Sequence, residues 1–428
     1  MTERNLTLCI VGAGSSYTPE LIDGLMGLSP ERLSVGRINL TDLDRRRLGI
    51  MAGLSRRMIS AAGRKIVVSD DTSLERMLEG ADFVITQIRV GGMKARHLDE
   101  SIPLKYGIIG QETTGPGGMF KALRTIPPML EIARAVCRVC PEAFMLNYTN
   151  PSGIITEAVT KHTGARFMGL CSGIPGMQRR IREQLGDAYP DMHIYCVGLN
   201  HLGFAHRIVS DGRDVTSEVI DRLYAADDRA QTDNAQAAMG RLVRTLGAIP
   251  ISYVNYYYRR RERVLHAQQA PETRAQVIMG IEEQVLAEAA DEKTHAKPQA
   301  LRKRGGGGYS NVTFSAMDAI WNDTGAEVAC SVPNRGTVQQ IDDEAAVEVV
   351  CKVGRDGPVP IPVGPIPLAF RGLVLAVKTY ESLTVEAAVK RSRALALQAL
   401  LNHPLVGDLD VAEPLLDEML EAHGLKFE

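Results

Sequence analysis

A cysteine and a histidine whose side chains could bind a metal each follow a short apolar run. Cys171 comes directly after the run 166–170, and His201 follows the run 194–198. Thiolates and imidazoles are common ligands of divalent first-row metals. If the two runs are neighbouring strands, both side chains lie at one edge of a sheet, and two protein ligands leave positions open for substrate oxygens. The alternative is a buried thiol and a core histidine, and spacing alone does not decide between them.

A run of tyrosines contains a candidate general base. The segment 253–258 holds Tyr253, Tyr256, Tyr257 and Tyr258, four of the chain's twelve tyrosines. Such clusters usually pack in cores or interfaces. A phenol can instead act as a base when a cation or hydrogen bonds lower its pKa from about 10. Both interpretations remain open on the sequence.

Residues 110–124 combine glycine and proline with polar side chains, among them Glu112. A polar, glycine-rich connection is poor at building a core and good at placing polar groups around a ligand. We therefore expect this whole segment to be a binding loop, with Glu112 among its functional groups.

The N-terminal strand candidate 5–11 leads into a glycine turn that resembles a dinucleotide-binding fingerprint. Gly12 and Gly14 occupy the first two glycine positions, and Tyr17 replaces the third glycine. Glycines here allow a pyrophosphate to approach the N-terminus of the following helix. The alternative is a glycine turn of another α/β protein.

The predicted cofactor site also includes Ser15 and Ser16 of the same turn. Asp42, at the end of the predicted second strand, is the candidate acceptor for a ribose hydroxyl, although it lies further along than the usual distance of about 20 residues. A carboxylate here would repel a 2′-phosphate, which favours NAD over NADP.

Two arginines and two asparagines are candidates for binding a ligand. Arg89 and Arg96 flank a pair of glycines, and Arg96 either binds an anionic group through two hydrogen bonds or is solvated at a helix start. Asn147 and Asn150 either donate hydrogen bonds to hydroxyls or a cofactor, or form a turn that caps the next helix.

These residues need a scaffold, and the order of apolar runs predicts one. Strand candidates alternate with helical stretches up to about residue 200, at 5–11, 37–40, 66–68, 82–90, 143–146, 166–170 and 194–198. This alternation predicts a parallel βαβ sheet, whose ligands bind beyond the carboxyl ends of the strands. The later part is richer in helical patterns. We expect a Rossmann-like NAD-binding domain over 1–200, a helix-rich α/β substrate domain over 201–428, and the site between them.

Composition narrows the class of protein. With 428 residues, 45% hydrophobic and 23% charged, the chain reads as a globular α/β protein. A net charge of −2 gives no reason to expect nucleic acid or a membrane surface as a partner. Seven scattered cysteines, an odd number, favour a reducing cytoplasm. We expect a cytoplasmic enzyme that forms a homodimer or a homotetramer.

Taken together, these motifs resemble glycoside hydrolase family 4, the NAD- and metal-dependent phosphoglycosidases. The resemblance covers nearly the whole chain, in segments 11–21, 88–92, 110–118, 147–151, 169–171, 198–201 and 249–253. No single segment is specific to this family, but the order and spacing of all the segments together are.

The resemblance implies a mechanism without two catalytic carboxylates. Bound NAD⁺ takes a hydride from C3 of the sugar, a base removes the acidified C2 proton, and the C1 substituent leaves by elimination. Water then adds to the double bond and the stored hydride reduces C3, so there is no net redox change. The implied substrate is a phosphorylated disaccharide or an aryl glycoside.

The resemblance also implies a role for each catalytic candidate. Cys171 and His201 match the ligands of a divalent metal, usually Mn²⁺, that stabilises the enediolate. Tyr253 matches the family base, and Glu112 matches the carboxylate credited with raising the basicity of that tyrosine.

Three further residues match substrate-binding positions of the family. Arg96 and Asn150 match positions that bind the sugar, and Arg274 matches the arginine that helps to bind the 6-phosphate.

Ser172 departs from the family pattern. Members that act on α-glycosides carry an aspartate after the metal cysteine, and members that act on 6-phospho-β-glucosides commonly carry asparagine. A serine is not a strong acid, so the resemblance favours a 6-phospho-β-glucosidase, as does the segment 304–310, typical of the β branch. The alternatives are a 6-phospho-α-glucosidase or phosphogalactosidase of the same family, a net NAD-dependent polyol or hydroxy-acid dehydrogenase, and an NAD-sensing binding module.

Overall fold

The computed structural model describes residues 5–224, 235–305 and 308–428. The strands are β1 Leu6–Val11, β2 Val35–Thr41, β3 Val67–Asp70, β4 Phe83–Thr86, β5 Phe144–Asn147, β6 Arg166–Leu170, β7 His193–Leu199, β8 Leu202–Ser210, β9 Arg213–Asp214, β10 Ile249–Pro250, β11 Ala326–Pro333, β12 Ala346–Gly354 and β13 Gly357–Pro360. Short 3₁₀ segments occupy Gly186–Ala188, Ser252–Val254 and Gln299–Lys303.

The helices cover the sheets and fill the second half of the chain. They are α1 Thr18–Met26, α2 Arg45–Ala61, α3 Leu74–Leu78, α4 Gly92–Lys105, α5 Gly115–Val139, α6 Ser152–His162, α7 Gly173–Leu185, α8 Thr216–Tyr224, α9 Ala235–Leu246, α10 Asn255–Tyr258, α11 Arg260–Gln269, α12 Arg274–Ala290, α13 Tyr309–Asn322, α14 Leu368–Lys390, α15 Arg393–Asn402 and α16 Leu409–His423. The helical patterns of the later part of the sequence include 215–226 and 233–246, whose residues 225, 226, 233 and 234 lie outside the described residues. No helix in the described ranges is long and apolar enough to span a bilayer.

The large sheet has the strand order β13-β12-β11-β6-β5-β4-β1-β2-β3. Strands β1 to β6 are parallel, in the order of a doubly wound dinucleotide-binding sheet. This confirms the predicted Rossmann-like fold with a helix-rich second part. Strands β11, β12 and β13 continue the sheet in antiparallel orientation beyond β6. The C-terminal half therefore adds strands to the sheet of the N-terminal half, and the division near residue 200 stays a prediction.

A second sheet carries His201, and this corrects one prediction. Strand β7 was expected to lie beside β6 in the parallel sheet, but it pairs antiparallel with β8 in a separate sheet. The physical reason is the tight turn of Asn200 and His201 between paired Leu199 and Leu202, because such a turn forces the chain back on itself. Cys171 and His201 are therefore not on neighbouring strands of one sheet.

The expected binding loop over 110–124 is wrong from residue 115 onward, where α5 begins. Pro116 stands in the first turn of this helix, where proline is well tolerated. Gly117 is required by close packing, because a Cβ atom there would lie 2.5 Å from the backbone oxygens of Asp99 and Gln111. Gly117 thus lets a buried helix start in close contact with the backbone of Asp99 and Gln111. Only residues 110–114, including Glu112, remain irregular.

Candidate active site

A cleft of about 1220 Å³ lies beyond the carboxyl ends of β1, β2 and β4. Both halves of the chain line it. The predicted site residues on its walls are Gly12, Gly14, Ser15, Asp42, Arg96, Glu112, Asn150, Tyr253 and Arg274. Ser16, Cys171 and His201 are buried or nearly buried behind these walls. The cleft has the volume of a site for a small ligand together with a cofactor.

The glycine turn is held in place by Asp42. The amide of Gly14 donates to Oδ2 of Asp42 at 2.8 Å, and the amide of Asp44 donates to its other oxygen at 2.9 Å. Gly12 has a φ of 84°, and a Cβ atom there would lie 2.9 Å from the backbone of Gln87. The turn therefore requires glycine, and Asp42 both supports it and faces the cleft.

The serine and the tyrosine that end the turn bind the second half of the chain. The hydroxyl of Ser16 donates to Oε1 of Glu282 at 3.1 Å. Tyr17, which replaces the third glycine of the fingerprint, donates to the backbone oxygen of Gly305 at 2.5 Å. The Ser16 side chain is fully buried, so its hydroxyl stabilises the packing of the two halves. If Ser16 binds a cofactor as predicted, its backbone amide and not its hydroxyl would make the contact.

Glu112 is surrounded by three cations. Its Oε2 lies 2.5 Å from Nη1 of Arg89 and 2.6 Å from Nζ of Lys121, and its Oε1 lies 3.1 Å from Nη1 of Arg96. Burial acts to raise the pKa of Glu112, but these positive charges outweigh it and hold the pKa well below its ordinary value. Glu112 is therefore a fixed anion. Burial and the charge of Arg89 lower the pKa of Lys121 to about 7.

Arg96 links this cluster to the start of α12. Its Nε lies 2.7 Å from Oε1 of Glu100, whose other oxygen accepts the amide of Ala275 at 2.7 Å. The hydroxyl of Thr273 accepts the amide of Gln276, and the amide of Thr273 donates to the side chain of Gln276, which completes a capping box. The first helical residue is Arg274, whose side chain lines the cleft. Arg96 and Arg274 thus both line one cleft, and Glu100 links Arg96 to the start of α12.

Tyr253 and His201 are brought together by the second sheet. Strand β10 pairs with β8, and the amide of Ile251 donates to the backbone oxygen of Gly203 at 3.0 Å. The two rings then stack with centroids 4.1 Å apart and an interplanar angle of 3°. Burial, and next the nearby Cys171, raise the pKa of Tyr253, so the phenol is protonated in the metal-free protein.

His201 has the properties of a metal ligand. Its Nδ1 is buried and has no hydrogen-bond partner among the described residues. Burial, helped by the charge of Lys121, lowers its pKa to about 4, which keeps the imidazole neutral and able to bind a cation. The residue adopts a left-handed φ of 65°, and its neighbour Asn200 donates to the buried Oε2 of Glu348 at 2.6 Å. The turn that presents the imidazole is thus anchored.

Cys171 could bind a cation only as a thiolate. Its sulfur accepts the amide of Gly173 at 3.4 Å, and burial raises the pKa of the thiol to about 12. A cation at this sulfur would displace the proton, because metal binding deprotonates a coordinating thiol. No group of three or more histidine, cysteine or acidic side chains is arranged for a metal within the described parts of the chain. Cys171 and His201 therefore stay a predicted pair of metal ligands.

The two asparagines separate into one structural residue and one that is only partly bonded, because Nδ2 of Asn150 donates to the backbone oxygen of Tyr148 at 3.3 Å. Oδ1 of Asn147 accepts the hydroxyl of Thr86 at 2.8 Å and the amide of Thr149 at 2.9 Å, so Asn147 builds the turn. Asn150 lines the cleft, and its buried Oδ1 has no partner among the described residues. Asn150 is therefore available to a ligand.

Sequence reasoning missed two charged residues of the cleft, Glu282 and Arg304. They form an ion pair of 2.9 Å beside the glycine turn. Glu282 lies in the middle of α12 and Arg304 follows a short 3₁₀ segment, so neither belongs to a strand end or a recognisable spacing. Only the packing of α12 against the N-terminal half brings them to the site.

Comparisons with known proteins cover nearly the whole chain. The sequence model described as "Family 4 glycosyl hydrolase" matches residues 7–187, and that of its C-terminal domain matches 196–406. A probable 6-phospho-β-glucosidase of Bacillus subtilis is 38% identical over 98% of this chain and 97% of its own length. The structure of the Thermotoga maritima 6-phospho-β-glucosidase with manganese, NAD⁺ and glucose 6-phosphate superposes with a TM-score of 0.89 at 32% identity, covering 99% and 100% of the chains. A 6-phospho-α-glucosidase from gut microorganisms, with NAD and Mn²⁺, gives 0.87 at 27% identity, covering 99% of each chain.

Proposed function

The chain belongs to family 4 of the glycosyl hydrolases, and we propose that it hydrolyses 6-phospho-β-glucosides using NAD and a divalent metal. The observation that carries this proposal is the ring stack of His201 and Tyr253 behind a cleft that also holds a glycine turn and Arg274. A neutral imidazole, a phenol and a phosphate-binding arginine are thereby gathered at one end of a dinucleotide-binding sheet.

The two cofactors supply chemistry that the side chains lack. When bound, NAD⁺ supplies the oxidation at C3 that acidifies the C2 proton, and a cation such as Mn²⁺ supplies Lewis acidity toward the sugar oxygens. Gly12, Gly14, Ser15 and Asp42 would hold the dinucleotide. Cys171 and His201 would hold the cation.

The side chains of the cleft divide the remaining work. Tyr253 is the phenol on the cleft wall beside His201, and it would take the C2 proton as a phenolate. A cation bound at His201 would favour this ionised form by its positive charge. Glu112 supports this base electrostatically, because its nearby negative charge is among the influences that raise the pKa of Tyr253. Arg96 and Asn150 bind sugar hydroxyls, and Arg274 binds the 6-phosphate.

Ser172 favours the β-glucoside over the α-glucoside. It precedes α7 as its N-cap residue, and its side chain makes no capping hydrogen bond. A hydroxyl cannot donate a proton to a poor leaving group as a carboxylic acid does. We therefore expect good substrates to carry a leaving group that needs little protonation, as in aryl 6-phospho-β-glucosides.

The test is a rate comparison with p-nitrophenyl 6-phospho-β-glucoside and its α-anomer. We expect release of p-nitrophenol from the β-anomer only when both NAD⁺ and Mn²⁺ are present, without accumulation of NADH. Activity that survives complete removal of both cofactors would overturn the proposal. Stoichiometric NADH formation would indicate a net dehydrogenase instead. Light scattering would test the predicted homodimer or homotetramer.

A further inference from the structure

Arg304 is a buried arginine on the wall of the cleft, and no step of the proposed reaction uses it. Only 8% of its surface is exposed. Its guanidinium lies over the ring of Tyr17, with Cζ 4.0 Å from the ring centroid. The backbone oxygen of Arg304 accepts Nη2 of Arg274 at 2.9 Å. Arg304 therefore lies between the glycine turn and the arginine assigned to the 6-phosphate.

The guanidinium of Arg304 is only partly used by the protein. Its Nη2 lies 2.9 Å from Oε1 of Glu282. Its Nε and Nη1 are buried and have no hydrogen-bond partner among the described residues. A buried, charged donor without an acceptor is costly, so such donors normally have a partner in the functional state.

The charges around Arg304 favour an anion as this partner. Glu282 is shared, since Nη2 of Arg47 also lies 3.4 Å from its Oε2, and two guanidinium groups thus face one carboxylate. Arg89 and Arg96 lie close enough to act electrostatically on Arg304, and both form ion pairs with Glu112. Positive charge is therefore in excess along this wall.

We propose that Arg304 binds a phosphoryl oxygen of a ligand in the cleft through Nε or Nη1, which the side chain turns toward the cleft when the ligand binds. Nε and Nη1 lie on different edges of the guanidinium, so each would donate singly, and the positive charge strengthens a hydrogen bond to a phosphoryl oxygen. The same chemistry has two sources here, the 6-phosphate of the sugar and the pyrophosphate of the dinucleotide. The assignment to either ligand deepens the proposed function and rests on it.

The experiment measures binding directly by calorimetry, so it does not depend on turnover. Glucose 6-phosphate is titrated into the full chain loaded with NAD⁺ and Mn²⁺, and NAD⁺ is titrated in a separate series. The variants are Arg304→Met, Glu282→Gln and, as the matched control, Arg302→Met. Arg302 is exposed and lies two residues before Arg304, so its substitution removes the same charge outside the cleft wall. Circular dichroism confirms that each variant is folded.

Arg304→Met should lower the affinity for one of the two ligands by about 10- to 100-fold, because hydrogen bonds to a charged group are lost. Weaker glucose 6-phosphate binding identifies the sugar phosphate, and weaker NAD⁺ binding identifies the pyrophosphate. Glu282→Gln keeps the arginine and should weaken binding less than Arg304→Met does, and the exposed Arg302→Met should stay within about threefold of the wild type. Unchanged affinity for both ligands in Arg304→Met would overturn the proposal.

Two further outcomes separate binding from a structural role. If Glu282→Gln weakens binding as much as Arg304→Met does, the arginine acts only by holding the carboxylate, and the proposal fails. If Arg304→Met does not fold, Arg304→Lys takes its place. A lysine cannot serve both Glu282 and a ligand, so affinity should still fall, and wild-type affinity would reject the proposal. Loss of affinity in a protein without glycosidase activity would refute the proposed function alone.

Discussion

The imidazole of His201 lies flat on the phenol of Tyr253, with ring centroids 4.1 Å apart and ring planes within 3°. The two residues are far apart in sequence, and the pairing of β8 with β10 brings them together. The candidate metal ligand His201 and the proposed base Tyr253 are therefore in direct ring contact. This arrangement gives each of them a distinct experimental signature.

Replacing Tyr253 by phenylalanine should abolish catalysis without unfolding the protein. The ring would still stack on His201, while the hydroxyl that takes the C2 proton is lost. Loss of a general base lowers turnover by about 10²- to 10⁴-fold. Steady-state rates with p-nitrophenyl 6-phospho-β-glucoside measure the effect. Tyr258→Phe, an exposed member of the same run, is the control and should retain full activity, and near-normal turnover in Tyr253→Phe would contradict the assignment.

Glu112→Gln should lower both turnover and stability. Three cations contact this carboxylate within 3.1 Å, so the amide would leave them facing one another in a buried site. Removing one partner of a buried ion pair costs about 3 kcal/mol. Urea denaturation and steady-state kinetics measure the two effects, with the exposed Glu79→Gln as the control. An unchanged free energy of unfolding would show that the cluster does not depend on this charge.

Cys171→Ser should weaken Mn²⁺ binding by about 10- to 100-fold. The serine hydroxyl stays neutral, so the cation loses a negatively charged ligand. The dissociation constant can be measured by electron paramagnetic resonance of free Mn²⁺, which requires no turnover. Cys137→Ser, at a partly exposed free cysteine on α5, is the matched control. Equal affinity in the two variants would remove Cys171 from the metal site.

The buried pair of Glu157 and Lys378 should make stability depend on pH. The side chain of Glu157 is fully buried, and its Oε2 lies 2.8 Å from Nζ of Lys378. Burial opposes ionisation, but Lys378 and Lys161 outweigh it and lower the pKa from 4.5 to about 2. A depressed carboxylate pKa adds stability that is present above the unfolded value and is lost as pH falls.

This contribution should amount to about 3 kcal/mol above pH 5, by the usual conversion of pKa units to free energy. It should shrink between pH 4.5 and about 2. The measurement compares urea unfolding of the wild type and Glu157→Gln at several pH values. A difference in unfolding free energy that does not change over this range would refute the prediction.

The sequence could predict the parallel sheet, but not how the site is assembled. The mostly apolar run of β1 and the glycines after it fix a local structure, so the predicted sheet is confirmed, while the site residues stay predictions. Cys171 and His201 were chosen on a wrong premise, because no local pattern distinguishes β7 from a strand of the parallel sheet. Arg304 could not be recognised, since its neighbours Tyr17 and Glu282 are far away in sequence.

The proton at C2 provides the most direct test of the central claim. The wild-type protein with NAD⁺ and Mn²⁺ is incubated with a 6-phospho-β-glucoside in D₂O, and the glucose 6-phosphate formed is analysed by NMR and mass spectrometry. Removal of the C2 proton by Tyr253 predicts deuterium at C2 of the product, and none with Tyr253→Phe. Product formed at full rate by the wild type with only hydrogen at C2 would contradict the account.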